Sequence, residues 1–130
     1  MILYQLILSH LVFDYGKALT PEMIKAKSKG YPYIPIAKHA LLHAVGVFLV
    51  LMFNSVSIQK IFVASSFEFS AHFFIDVMKG RIETKWPKLK DPTNPYHWHL
   101  FQLDQFLHIT CKYLIYLLFF YLLLWYILNH

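Results

Sequence analysis

The chain has 130 residues, of which 58% are hydrophobic and 18% aromatic, while only 15% are charged. This composition excludes an ordinary soluble domain and predicts a single domain, residues 1–130, that is embedded in a lipid bilayer. The net charge of +5 does not indicate nucleic-acid binding, because the basic residues lie in two loops beside apolar segments and no nucleic-acid-binding motif accompanies them.

The first two long apolar segments each carry one pair of candidate metal ligands. Residues 2–18 lack the basic start and the cleavage site of a signal peptide, so they predict a retained helix. Thr20-Pro21 is typical of a helix start and predicts a short basic amphipathic helix on the membrane surface, ended by Gly30. Pro35 then opens a helix over residues 36–53. The pairs are His10 with Asp14, and His39 with His43.

The second half of the chain repeats this arrangement. A short polar connection predicts that the next helix, residues 58–79 with Gly80 as its C-cap, runs antiparallel to its predecessor. Asn94-Pro95 opens a last helix over residues 95–129, in which residues 109–128 are apolar apart from Lys112 and Cys111 and can span a bilayer. The ligand pairs are His72 with Asp76, and Asp104 with His108. No ligand role is assigned to His97, His99 or His130.

These segments predict an all-α fold, a four-helix transmembrane bundle with up-down-up-down topology and two long basic loops on one side. The lysine and arginine residues of those loops predict that both loops face the cytoplasm. Each ligand pair lies in the half of its helix nearest a long loop. The four pairs are therefore expected at one level of the bilayer, near its cytoplasmic face.

The shared spacing of the four pairs predicts a metal site. Residues at i and i+4 project from one face of a helix. Ionisable groups inside a membrane need partners, and scarcely any basic residue is expected at the level of these three carboxylates and five histidines. Divalent cations would supply the missing positive charge. Imidazole and carboxylate ligands together favour zinc, with iron or manganese as alternatives. Two ions are favoured over one. Interhelical hydrogen bonds that fix the register of the helices are the alternative explanation.

Four more residues are candidates for supporting roles. Glu68 lies one turn before His72 on the same helical face, as a further ligand, as an acceptor that orients the imidazole, or as a buried protonated acid. Lys38 and Lys79 lie at helix ends beside the site, where they either hold an anionic substrate or extend to the membrane surface. Gln105 is a candidate hydrogen-bond donor to the ligands.

The four motifs resemble the bacterial and phage family of small membrane proteins called domain of unknown function 3307. The family usually has Gly-Asp-Phe and then glutamine in the first motif, where this chain has Phe13-Asp14-Tyr15 and Lys17. The resemblance implies a membrane protein of bacterial or phage origin, located in the bacterial inner membrane, but brings no established activity. The matching segments are residues 8–14, 39–44, 72–76 with Lys79, and 103–108.

A looser similarity, in histidine and aspartate content and in helical setting, links the chain to membrane-bound metal-dependent hydrolases and to zinc-dependent phospholipase C and P1-type nucleases. It favours hydrolysis as the reaction. The expected function is a metal-dependent hydrolase acting on a phosphoester of a lipid or nucleotide at the cytoplasmic face, with Asp76 and Asp104 as catalytic carboxylates. The alternatives are a non-catalytic, metal-stapled membrane scaffold and, ranked third, a metal-ion transporter.

Overall fold

The structure is a computed structural model that describes the backbone of residues 1–129 and the side chains of residues 1–118. Over these residues the fold is all-helical, as predicted, and contains no strand. His130 and the side chains after residue 118, which include the second half of the predicted span 109–128, lie outside the described part. The helices are α1 (Ile2–Tyr15), α2 (Pro21–Lys27), α3 (Tyr33–Phe53), α4 (Ile58–Lys85), a 3-10 helix (Pro87–Lys90) and α5 (Pro95–Asn129).

A local sequence signal explains where α2 begins, but two predicted helix ends are wrong. The helix predicted over residues 2–18 ends at Tyr15. The hydroxyl of Thr20 accepts a hydrogen bond from the backbone N–H of Met23 at 3.3 Å, which caps α2. Gly80 does not end α4, which continues to Lys85. One glycine inside a helix costs only about 1 kcal/mol, so packing of the surrounding turns outweighs it.

Gly80 instead allows α2 to approach α4 closely. A Cβ atom at Gly80 would lie 2.1 Å from the backbone nitrogen of Gly30 and 2.2 Å from the carbonyl oxygen of Lys27. Gly30 itself has a φ of +72°, in the left-handed region that favours glycine. Met23 and Ala26 are buried as α2 packs against α3 and α4. The short basic helix is therefore packed on the other helices, which the prediction of a membrane-surface helix did not include.

The four long helices contact one another in a closed ring, in the order α1, α3, α4, α5 and back to α1. Two buried apolar clusters lie inside this arrangement, and burying each of their larger side chains stabilises the fold by about 1.5–3 kcal/mol. Along α3 the candidate ligands lie between Ile36 of one cluster and Val47 of the other. The larger cluster comprises Leu6, Val47, Leu51, Ile61, Ala64 and Ile115, and the smaller one Ala26, Ile36 and Val77.

Two of the helices, α3 and α4, are long and apolar enough to cross a membrane. Their outward faces are also apolar: Leu41 is 54% exposed, and Phe62 and Val63 are each 60% exposed. Extended apolar surfaces of this kind are unusual on soluble monomers and typical of contact with lipid or with another protein.

Candidate metal centre

The four i, i+4 pairs converge in the interior, one pair from each long helix. The two largest exposed fractions among the eight residues are 8% for Asp14 and 4% for Asp104, and the remaining six are at most 1% exposed. The imidazole rings lie against one another: the centroid of His72 is 3.7 Å from that of His43 and 4.0 Å from that of His108. The eight residues therefore form one continuous polar layer between the two apolar clusters.

Two groups within this layer have the geometry to hold a metal ion, since one ligand atom from each member lies within 4.8 Å of the others. His72 belongs to both groups and so joins them. His10 borders the first group, with its Nδ1 3.2 Å from Nδ1 of His43. The groups are Asp14, His39, His43 and His72, and His72, Asp76 and His108.

Asp104 borders the second group. Its Oδ1 lies 3.5 Å from Nε2 of His108, the residue one turn further along α5. The sequence prediction placed all eight residues in a single constellation, and the structure brings all eight together.

Several of the buried ligand atoms have no hydrogen-bond partner within the described part of the chain. They include Nε2 of His43, His72 and His108, and Oδ2 of Asp76. A buried polar group without a partner costs about 1–3 kcal/mol, and a charged one costs more. A cation between these atoms would satisfy several of them at once, so the donor set fits a divalent metal.

Glu68 supports His72 from the deeper side of the layer. Its Oε1 lies 3.3 Å from Nδ1 of His72, where it can accept the Nδ1–H and leave Nε2 facing the other ligands. Glu68 also forms an ion pair with Lys112, whose side chain is fully buried. This lysine was missed as a functional residue, although the signal was present. Lys112 follows His108 by four residues and Glu68 precedes His72 by four, so both lie one turn deeper than the histidines.

Lys27 is the second basic residue that the sequence prediction missed. Its Nζ lies 2.8 Å from Nε2 of His39 and 3.3 Å from an oxygen of each of Asp14 and Asp76. Burial alone would lower the pKa of Lys27, but Asp76, Asp14 and Asp104 together raise it above its usual value, so the group stays an ammonium ion. The expectation that scarcely any basic side chain reaches the carboxylates is therefore wrong.

Of the supporting residues expected around the site, Gln105 and Lys79 contact the ligands and Lys38 does not. Nε2 of Gln105 donates to Asp14 Oδ2 at 3.3 Å and to Asp104 Oδ2 at 3.2 Å, which links the ligands of α1 and α5. Nζ of Lys79 lies 3.6 Å from Asp104 Oδ2 and 3.8 Å from Glu83 Oε1. Lys38 is exposed and forms none of these contacts.

A cavity between α4 and α5 leads to the edge of this layer. It has a volume of about 330 Å³ and is lined by Lys79 and Asp104 together with apolar side chains. The apolar part comprises Phe74, Ile75, Met78, Ile82, Leu100, Leu103 and Leu107. One polar edge beside apolar walls is an arrangement that suits an amphiphilic ligand.

The sequence profile of the family described as protein of unknown function DUF3307 matches residues 2–129. The chain therefore belongs to this family, which confirms the resemblance seen in the four motifs. Comparisons with curated proteins and with solved structures gave no match.

Proposed function

We propose that this member of the DUF3307 family is a membrane-embedded, metal-dependent hydrolase that cleaves a phosphoester of a lipid. One observation carries the proposal: two metal-capable ligand groups that share His72 are buried between apolar clusters, and several of their imidazole and carboxylate atoms have no hydrogen-bond partner in the described residues. Hydrogen bonding alone leaves those atoms unsatisfied, whereas a divalent ion uses them.

The proposed setting is the inner membrane of a bacterium, with α1, α3, α4 and α5 crossing as an up-down-up-down bundle. Supporting this, α3 and α4 have the length and apolarity of spans, and the four-helix ring exposes apolar side chains. The positive residues of the two long loops favour a cytoplasmic location for those loops. The candidate metal centre then opens near the cytoplasmic leaflet.

The ligand chemistry favours zinc, with iron or manganese as alternatives. Nitrogen and carboxylate oxygen donors suit these metals better than calcium, which prefers oxygen donors alone, or copper(I), which prefers sulfur. A bound ion of this kind lowers the pKa of a coordinated water and stabilises charge on a phosphoryl oxygen.

The residues of this chain then have separate roles. Asp76 is the proposed metal-binding carboxylate, because its Oδ2 is buried without a hydrogen-bond partner in the described residues and lies 3.5 Å from Nε2 of His72. Asp104, at the cavity edge, accepts the proton of the attacking water. The water oxygen bonds to phosphorus, the ester P–O bond breaks, and the leaving alcohol oxygen takes up a proton. Lys79 neutralises charge on the phosphate.

The shape of the cavity favours a lipid over a nucleotide. Its apolar walls accept an acyl chain, while Lys79 and Asp104 stand at its polar edge beside the metal ligands. A nucleotide would place a polar ribose and base against those same apolar walls. Lipid phosphoesters are therefore the proposed substrate class.

A panel of phosphomonoesters and phosphodiesters, with lipid and nucleotide members in mixed micelles, tests this proposal. Metal-loaded wild type should release product from a lipid member, and Asp104→Asn should lose that turnover while keeping its fold. Asp91→Asn is the matched control, since Asp91 is exposed and bonds only locally to Thr93. Folded, metal-loaded protein that hydrolyses no member of the panel contradicts the hydrolase.

A structural metal staple is the second candidate. It is favoured by burial, since six of the eight ligands are at most 1% exposed. A staple predicts that removing the metal lowers the midpoint of thermal unfolding and that the loaded protein has no turnover. Transport of the ion is disfavoured, because the apolar cluster around Leu6, Leu51 and Ile61 lies beyond Glu68 along the helices.

A further inference from the structure

Lys27 contacts members of both ligand groups at once. Its ammonium lies near Asp14 and His39 of the first group and near Asp76 of the second. We infer that Lys27 takes the place of a second metal ion, so that the centre holds one divalent ion, bound by His72, Asp76 and His108. This inference rests on the metal centre of the proposed function and differs from the expectation of two ions.

The balance of buried charge supports a single ion. Five carboxylates are buried in and around the polar layer, and within the described residues three lysine side chains pair with them. With all five histidines neutral, as metal binding requires of the ligands His72 and His108, these groups leave a net charge of −2. One divalent cation neutralises that charge. The carboxylates are Asp14, Glu68, Asp76, Glu83 and Asp104, and the lysines are Lys27, Lys79 and Lys112.

The positions of the contacts assign the ion to the second group. Lys27 lies against Asp14 Oδ1 and His39 Nε2, and so it contacts two of the four members of the first group. In the second group it lies against Oδ1 of Asp76, while Oδ2 faces Nε2 of His72 at 3.5 Å. The second group therefore keeps Oδ2 of Asp76 and Nε2 of His72 and His108 available while the ammonium is in place.

The backbone around α2 holds Lys27 in this position. Ala26 is 2% exposed, and the crossing of Gly30 over Gly80 leaves no room for a side chain between α2 and α4. The side chain of Lys27 is only 15% exposed. The packing of α2 therefore holds the ammonium group of Lys27 inside the fold, beside the ligands.

Metal content measured by mass spectrometry on detergent-purified, zinc-resupplied protein tests the inference. Wild type should contain about one zinc per chain, and Lys27→Met about two, because the loss of one ammonium leaves room and negative charge for a second ion. Lys25→Met, which removes an exposed lysine of the same helix, should stay at about one. Two ions in the wild type, or one in Lys27→Met, would overturn the inference while leaving the metal centre standing.

A second pair of variants decides the matter if Lys27→Met does not fold. Asp14→Asn should keep about one zinc, since its group is the one that Lys27 fills, whereas Asp76→Asn should lose it. The opposite pattern would overturn the assignment to the second group. A folded wild type without zinc after resupply would instead reject the metal centre of the proposed function, and this inference with it.

Discussion

Replacing Lys112 by methionine should destabilise the fold by about 3–5 kcal/mol, because it leaves the carboxylate of Glu68 buried without its cation. Lys112 is fully buried and Glu68 is 1% exposed, so water cannot compensate for the lost partner. The remaining contact of Glu68, 3.3 Å from Nδ1 of His72, is to a group that is neutral when it binds a metal. The magnitude therefore follows from an unpaired buried charge and not from lost packing.

The free energy of unfolding, measured by denaturant titration in mixed micelles, gives the size of this effect. Lys88→Met is the matched control, since Lys88 is exposed in the 3-10 helix, and it should change stability by less than about 0.5 kcal/mol. The double variant Glu68→Gln with Lys112→Met removes both charges while glutamine can still accept from His72. It should recover most of the loss. A Lys112→Met protein as stable as Lys88→Met would refute the buried pair.

Three further variants test the packing and the site. Gly80→Ala should cost about 1–3 kcal/mol in the same titration, because its Cβ would meet the backbone of Gly30 at 2.1 Å; a neutral effect would contradict the close crossing. Thr20→Ala should cost about 1 kcal/mol by removing the cap of α2, and unchanged unfolding would argue against a docked α2. Lys79→Met should raise the KM for a lipid phosphoester about tenfold with zinc content unchanged, since a charge-assisted contact is worth about 1.5–3 kcal/mol; loss of zinc would place Lys79 in the metal site instead.

The sequence predicts best those features that depend on a single helix, namely which residues share a helical face and where a helix begins. The i, i+4 spacing put two ligands on one face of each long helix, and burying those faces against one another brings all eight together in the structure. Proline and threonine at helix starts located α2 and α5. These are features of single helices, which one sequence can reveal.

The missed features depend on contacts between helices. Gly80 looked like a helix end because its role, a close approach to Gly30, lies 50 residues away in the chain. The amphipathic pattern of α2 fits a membrane surface and the surface of the bundle equally well, so it does not predict that Lys27 lies in the site. In the sequence, Lys112 only interrupts an apolar run, because its partner Glu68 is on another helix.

The central claim is that the buried histidines and aspartates bind a metal, and the most direct test is the zinc content of His72→Ala. His72 belongs to both ligand groups, so its loss should abolish binding wherever the ion lies. His99→Ala is the control, since His99 is exposed on the same helix as His108. We predict bound zinc in wild type and His99→Ala and none in folded His72→Ala. Equal zinc in all three proteins, or none in a folded, resupplied wild type, would contradict the account.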